Sequence, residues 1–229
     1  IVRGDWDVLD DVHAHIALVK GASNNGAGRR PYGAAAETVS EWQDRTWVNA
    51  ANVKIDKVFG LLDATLGRQT YGEEGDLIVY FGARDNYGQT VTAVDMFRAD
   101  WNGEHMSVTG IAGKTAGGSN LQNTDAVPVT DTDLRGITVS CKMHEMVKPS
   151  AYVYNQVTHR AGARGAQAGK NDNLWVAGVK AKLATGGFSG SLELAKNFGD
   201  NRSGQIVDGV TDASFANYKG YAVQLKAAY

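Results

Sequence analysis

Short stretches in which apolar and polar residues alternate, joined by links that are by turns very short and very long, constrain this chain more than any single motif. In Trp175-Val176-Ala177-Gly178-Val179-Lys180-Ala181-Lys182-Leu183 every odd position is apolar, while the even side carries Gly178, Lys180 and Lys182. The same beat recurs over residues 137–143 and 221–229. A period of two belongs to strands whose two faces are differently solvated, so the expected fold is an all-β antiparallel sheet.

The pattern predicts strands near 1–9, 11–20, 46–58, 61–70, 91–102, 104–115, 136–144, 150–160, 173–184, 188–198 and 216–229, about eleven in all. Short links fall at Leu9-Asp10-Asp11, Phe59-Gly60, Asn102-Gly103, Met143 to Pro149 and Thr185-Gly186-Gly187. Asn102-Gly103 has the clearest turn chemistry, since both residues tolerate the positive φ of a tight hairpin. Long polar connections span 21–45, 71–90, 116–135, 161–172 and 199–215. Strict alternation of short and long links sorts all turns to one end and all long loops to the other, as in an up-and-down transmembrane β-barrel. Pro31, Pro128 and Pro149 all fall in links, as expected where every strand is hydrogen-bonded on both sides.

Composition is compatible with this reading. The 229 residues suit one all-β domain, so 1–229 is expected to be a single barrel domain. Three prolines, 28 glycines, 43% hydrophobic and 21% charged residues describe an ordered chain. A net charge of -2 gives no overall basic field and argues against a nucleic-acid partner. The start is not expected to be a signal peptide, and no apolar run approaches the roughly 18 residues of a transmembrane helix. A barrel strand needs only about ten residues, half of them polar, so a barrel escapes that test. Trp6, Trp47, Phe97, Trp101, Trp175, Phe188, Tyr221 and Tyr229 stand on the apolar beat, many near strand ends, where barrels carry aromatic girdles. An odd strand count, against the usual even one, means either that the pattern miscounts one strand or that the chain is a portion of a larger barrel.

The hairpin running from Asn49 through Val58-Phe59-Gly60 to Gly67-Arg68-Gln69 and Tyr71-Gly72 resembles one in the alginate-export-type outer-membrane porins. Trp175 to Phe198, with its glycine turn and the return strand Leu192-Glu193-Leu194-Ala195, resembles a later hairpin of that family. The resemblance implies a barrel of up to about eighteen strands, of which this chain is a part incomplete at one or both ends, a bacterial outer-membrane location, and passage of a solute.

On the barrel reading the polar beat lines the lumen. It includes Arg3, Asp5, Asp7, His13, His15, Asn52, Thr65 and Gln69, and the pore-lining candidates Lys54, Asp56, Asp63, Arg98, Asp100, Lys142, Lys180, Lys182, Glu193 and Lys226. Lys142, Lys180, Lys182 and Lys226 against Glu193 make the later strands basic, a wall that favours anions; the plain alternative is solvation of a wet interior. Arg68 falls on the apolar beat, where an arginine at the bilayer midplane costs about 2–4 kcal/mol. A bulge at Gly67 or a position near the rim would relieve this, and the resemblance makes Arg68 a lumen or constriction candidate.

Other chemistry is thin. His13 and His15 share a strand face but lack a third ligand at metal-site spacing, so no metal and no cofactor is expected. Asp125, Asp131 and Asp133, read as loop residues, lack the closing glutamate of a calcium loop. Cys141, the one cysteine, stands on the apolar beat as a small hydrophobe, and Arg3-Gly4-Asp5 lies within a strand. No nucleophile elbow, phosphate loop or metalloprotease motif occurs, and no enzyme is expected. The expected function is diffusion or export of hydrophilic, possibly anionic solutes, with outer-membrane lipid and solute as partners and a neighbouring or lumen-occupying protein as a further one. The alternatives are a barrel sheathing a partner protein, which would co-purify with its plug, and a soluble secreted carbohydrate-binding β-sandwich, which would need no detergent.

Overall fold

The computed structural model describes residues 2–20, 46–73, 76–82, 93–116, 130–142, 146–160, 171–201, 206–207, 210–211 and 216–229. Pro31, Pro128 and Asp125, most of each long connection, and the side chains of Trp47 and Asp131 lie outside them. The described residues contain strands and no helix, and they divide into two compact units, Ile1–Met96 and Phe97–Tyr229.

The first unit holds β1 (Val2–Leu9), β2 (Val12–Lys20), β3 (Thr46–Val58), β4 (Leu62–Gln69) and the start of β5 (Val94–Asn102). β1 to β4 pair in chain order and antiparallel. The rest of β5 opens the second unit, followed by β6 (Met106–Ala116), β7 (Thr130–Cys141), β8 (Val147–Arg160), β9 (Asp172–Thr185) and β10 (Phe188–Asn201). β6 to β10 also pair in chain order, and β10 then pairs with β14 (Tyr221–Ala228). Three two-residue strands, β11 (Ile206–Val207), β12 (Val210–Thr211) and β13 (Ala216–Asn217), complete the set. The eleven long strands are those that the alternation predicts, and the sheet is antiparallel and up-and-down.

Four local expectations are corrected. β7 begins at Thr130 rather than 136, so Asp131 and Asp133 belong to a strand and not to a loop. Its first residues are polar on both sides and give no two-beat signal, yet the backbone ladder continues, with Asp133 opposite Lys114. Pro149 lies inside β8 rather than in a link. The Met146 carbonyl accepts from the Ala184 amide, so the odd positions of this stretch turn toward β7. The β7 ladder ends at the Ser140–Ser150 pair, so the amide that Pro149 lacks has no ladder partner to lose. Neither Asn102 nor Gly103 has a positive φ. The Gly103 amide donates instead to the Met106 carbonyl at 2.9 Å, closing a three-residue loop over which the Trp101 ring packs. Finally, β14 starts at Tyr221, because the Tyr218–Gly220 segment interrupts it after β13. The glycine turn behaves as expected: Gly186 and Gly187 have φ of 55° and 86°, the left-handed pair of a two-residue hairpin.

Ladder partners share a face, so the registers divide each unit into an apolar and a polar face. In the second unit the apolar face carries Phe97, Val108, Ile137, Val139, Val153, Val179, Leu192, Leu194, Val223 and Leu225. The polar face carries Asp100, Thr109, Thr138, Tyr152, Tyr154, Lys180, Lys182, Glu193, Gln224 and Lys226. Burial runs opposite to that of a soluble sheet. Val223 and Leu225 on the apolar face are 70% and 77% exposed, whereas Tyr152 and Glu193 on the polar face are 7% and 2% exposed. The first unit behaves alike: Ala17, Ala50, Gln69 and Met96 on the polar face are buried, and Val53, Ile55 and Leu66 on the apolar face are exposed.

Candidate functional site on the polar face

In the first unit the polar face is a ladder of ion pairs. Asp7 lies opposite His13 and Asp5 opposite His15; His13 in turn faces Lys54, and His15 faces Asn52. His13 Nδ1 lies 2.6 Å from Asp7 Oδ1 and its Nε2 3.0 Å from Asp56 Oδ2. A carboxylate only accepts, so both bonds are made when the ring carries both protons. His15 pairs with Asp5, and Lys54 with Asp56. The cations and anions of this wall are therefore largely matched. No cluster of three metal-ligating side chains occurs among the described residues.

Two of the expected pore-lining residues stand at strand ends. Asp63 Oδ1 accepts from the Lys57 amide at 3.1 Å, tying down the β3–β4 turn, in which Lys57, Phe59 and Gly60 all have positive φ. Lys142 follows the end of β7 and donates from Nζ to Asn102 Oδ1 at 3.0 Å. Arg68 stays on the apolar face. Gly67 has a φ of 121°, but the register through Ala51–Arg68, Asn52–Gly67 and Val53–Leu66 is unbroken, so no bulge redirects the side chain. Its Nε and Nη2 instead donate to the two oxygens of Asp95 at 2.9 and 2.8 Å, a fork-to-carboxylate pair beside the long connection.

The second unit contains the remaining candidates. Arg98 Nη2 donates to Asp100 Oδ1 at 2.9 Å, and the Thr109 hydroxyl donates to the same oxygen at 2.7 Å. Tyr152 donates to Glu193 Oε1 at 2.6 Å, and the Tyr154 hydroxyl bonds Thr138 at 2.8 Å. Each ring lies over a glycine of the neighbouring strand, Tyr152 on Gly178 and Tyr154 on Gly136, where a Cβ would collide with it. The two rings also touch, with centroids 5.1 Å apart. Lys180 stands opposite Glu193, and Lys182 opposite both Lys148 and Ser191. Sequence reasoning passed over Lys148, Tyr152 and Tyr154. Lys148 reads in the sequence as part of a link, and the glycines that seat the tyrosines read as ordinary members of the polar beat.

The apolar face has its own order. Trp175 and Phe198 are ladder partners with stacked rings at 6.2 Å, and Lys196 lies over the ring of Tyr221, all at the long-connection end. Phe188 and Tyr229 stand at the short-turn end. Charged residues of this face, including Lys114, Asp133, Arg135, Lys196 and Asp200, all lie toward the long connections. Between the aromatic ends the described residues of this face in the second unit include no Asp, Glu or Arg, and Lys only as Lys196 beside Tyr221. A shallow apolar groove of about 420 Å³ runs there along Val139, Cys141, Ala151, Val179, Ala181 and Leu194.

No protein-family model matches this chain, and no curated protein matches it. Among solved structures it is similar to a loop L8 deletion mutant of OmpT, an outer membrane protein of Vibrio cholerae. The identity is 8% over 86% of this chain and 71% of that one, with a TM-score of 0.43.

Proposed function

We propose that this chain forms the wall, or part of the wall, of a bacterial outer-membrane β-barrel pore through which hydrophilic solutes diffuse, with a basic stretch that favours anions. The observation that carries this reading is the inverted burial: large apolar side chains are exposed on one face, and the buried strand residues, Asn155 apart, lie on the polar face. In water such a face would be covered by a second layer; against lipid it is already in its preferred solvent. The aromatic ends of the apolar face supply the interfacial girdles of such a wall. The hairpin at Val58-Phe59-Gly60 and Gly67-Arg68-Gln69, similar to that of alginate-export-type porins, supports passage of a solute and leaves its identity to experiment.

Planar-bilayer recording of the folded chain tests this reading. Stable single-channel steps are expected, with a reversal potential in a salt gradient whose sign reports anion preference. Lys180→Glu with Lys182→Glu is expected to move that potential toward cations. Silence from folded, inserted protein would overturn the pore, and an unchanged potential in the double variant would remove these lysines from the path.

A further inference from the structure

We propose that the polar face of the second unit holds a binding station for a multivalent oxyanion, formed by Lys148, Lys182 and Lys226 with the Ser191 hydroxyl between them. It rests on the reading of this face as the solute-facing wall and adds a specific site and ligand class. The registers place the four residues in one row: Lys148 faces Lys182, Lys182 faces Ser191, and Ser191 faces Lys226. Four neighbouring strands about 4.8 Å apart spread that row over roughly 14 Å. Lys180 is in the next row, opposite Glu193. Glu193, the one carboxylate in these two rows, is 2% exposed and already accepts the Tyr152 hydroxyl.

Among the described residues of these two rows four ammonium groups stand against one buried carboxylate, so cations outnumber anions there. Lys148 and Lys182 face one another directly across the β8–β9 ladder. Like charges facing one another across strands oppose pairing, and a bound anion relieves that opposition. A cavity of about 790 Å³ opens beside the row, where Lys148, Lys182, Lys226 and Ser191 share a largely apolar lining with residues such as Leu183 and Leu225. A monovalent ion meets one ammonium, whereas phosphate or carboxylate groups linked in one small molecule reach several, with the serine hydroxyl as a further donor. The ligand class is therefore a linear oligophosphate or a polycarboxylate, and not chloride.

Isothermal titration of the folded full chain in an uncharged detergent at low salt, with tripolyphosphate and separately with citrate, tests the station. Saturable binding of at least one of them is expected, the stronger of the two naming the source. Affinity is expected to fall at least tenfold in Lys182→Gln with Lys226→Gln, a pair that keeps the side-chain length. Lys114→Gln, on the opposite face, is expected to change nothing. Heat-modifiable gel mobility establishes that each variant is folded. Absence of saturable binding by both probes, or equal binding in the paired variant, overturns the proposal. Titration in detergent needs no ion flow. A silent bilayer with intact binding therefore discards the pore and keeps the station, and a conducting pore without binding does the reverse.

Discussion

Individual glycines of the polar face act as seats for aromatic rings, and this gives them a value that their small size conceals. A Cβ on Gly178 would meet the Tyr152 ring and stand 2.8 Å from the Leu194 carbonyl oxygen; one on Gly136 would meet Tyr154 and stand 2.8 Å from the Val153 carbonyl. Side chains give way more easily than backbone, so the two contacts separate by experiment. Gly178→Ala is expected to destabilise the folded protein by about 1–3 kcal/mol in detergent unfolding curves, as overpacking does. Adding Tyr152→Ala should recover only part of that loss, because the Leu194 carbonyl remains. Full recovery would place all the strain in the ring, and no loss in the single variant would remove the seat altogether. Tyr152 also orders Glu193, so replacing it is expected to alter the balance of charge around Lys180 as well as packing.

Strands were legible wherever their two faces differ in solvent, which is why β9, β10 and β14 follow the alternation so closely. Legibility failed where both faces see the same medium. The first four residues of β7 are polar on both sides, and Lys148 and Pro149 at the head of β8 read as a turn although they continue the ladder. The faces of Lys54, Arg98, Lys180, Lys182, Glu193 and Lys226 follow from parity alone. The row that joins Lys148 to Lys226 depends on register between strands distant in sequence, which no local pattern contains. Arg68 shows the opposite case: parity placed it on the apolar side, and its pairing with Asp95 explains how an arginine is held there. The face assignment has a sharp test within β7. Val139 pairs with Val108 and Ala151 on the apolar face, and its neighbour Ser140 pairs with Ser107 and Ser150 on the polar one. Val139→Arg is expected to cost about 2–4 kcal/mol of folding free energy in lipid vesicles, and Ser140→Arg less than 1. Equal costs would show that the two faces share a solvent and would sink the membrane reading of this strand.

For the molecule as a whole, the proposed barrel makes the spacing of its aromatic ends a measure of the membrane that would fit it. Tyr221 stands on the apolar face with Val223, Leu225 and Ala227, and Tyr229, just past the end of β14, is eight residues on at the same parity. Eight steps of about 3.4 Å give roughly 27 Å along the strand. A tilt of about 40° lays that length across roughly 20 Å of membrane, short of the 30 Å core of an ordinary bilayer and nearer the apolar band of about 25 Å found on outer-membrane barrels. Mismatch costs a fraction of a kcal/mol per Å, which adds up across the many strands inserted together. Folding yield from urea into vesicles is therefore expected to be highest with 10- to 12-carbon saturated chains and to fall several-fold with 18-carbon chains, read as protection of the folded band from protease. Moving Tyr229 or Tyr221 to alanine should flatten that dependence, because the ring at the interface is what resists sliding. A yield indifferent to chain length, or highest without lipid, would mean that the exposed apolar face is covered by protein rather than by lipid.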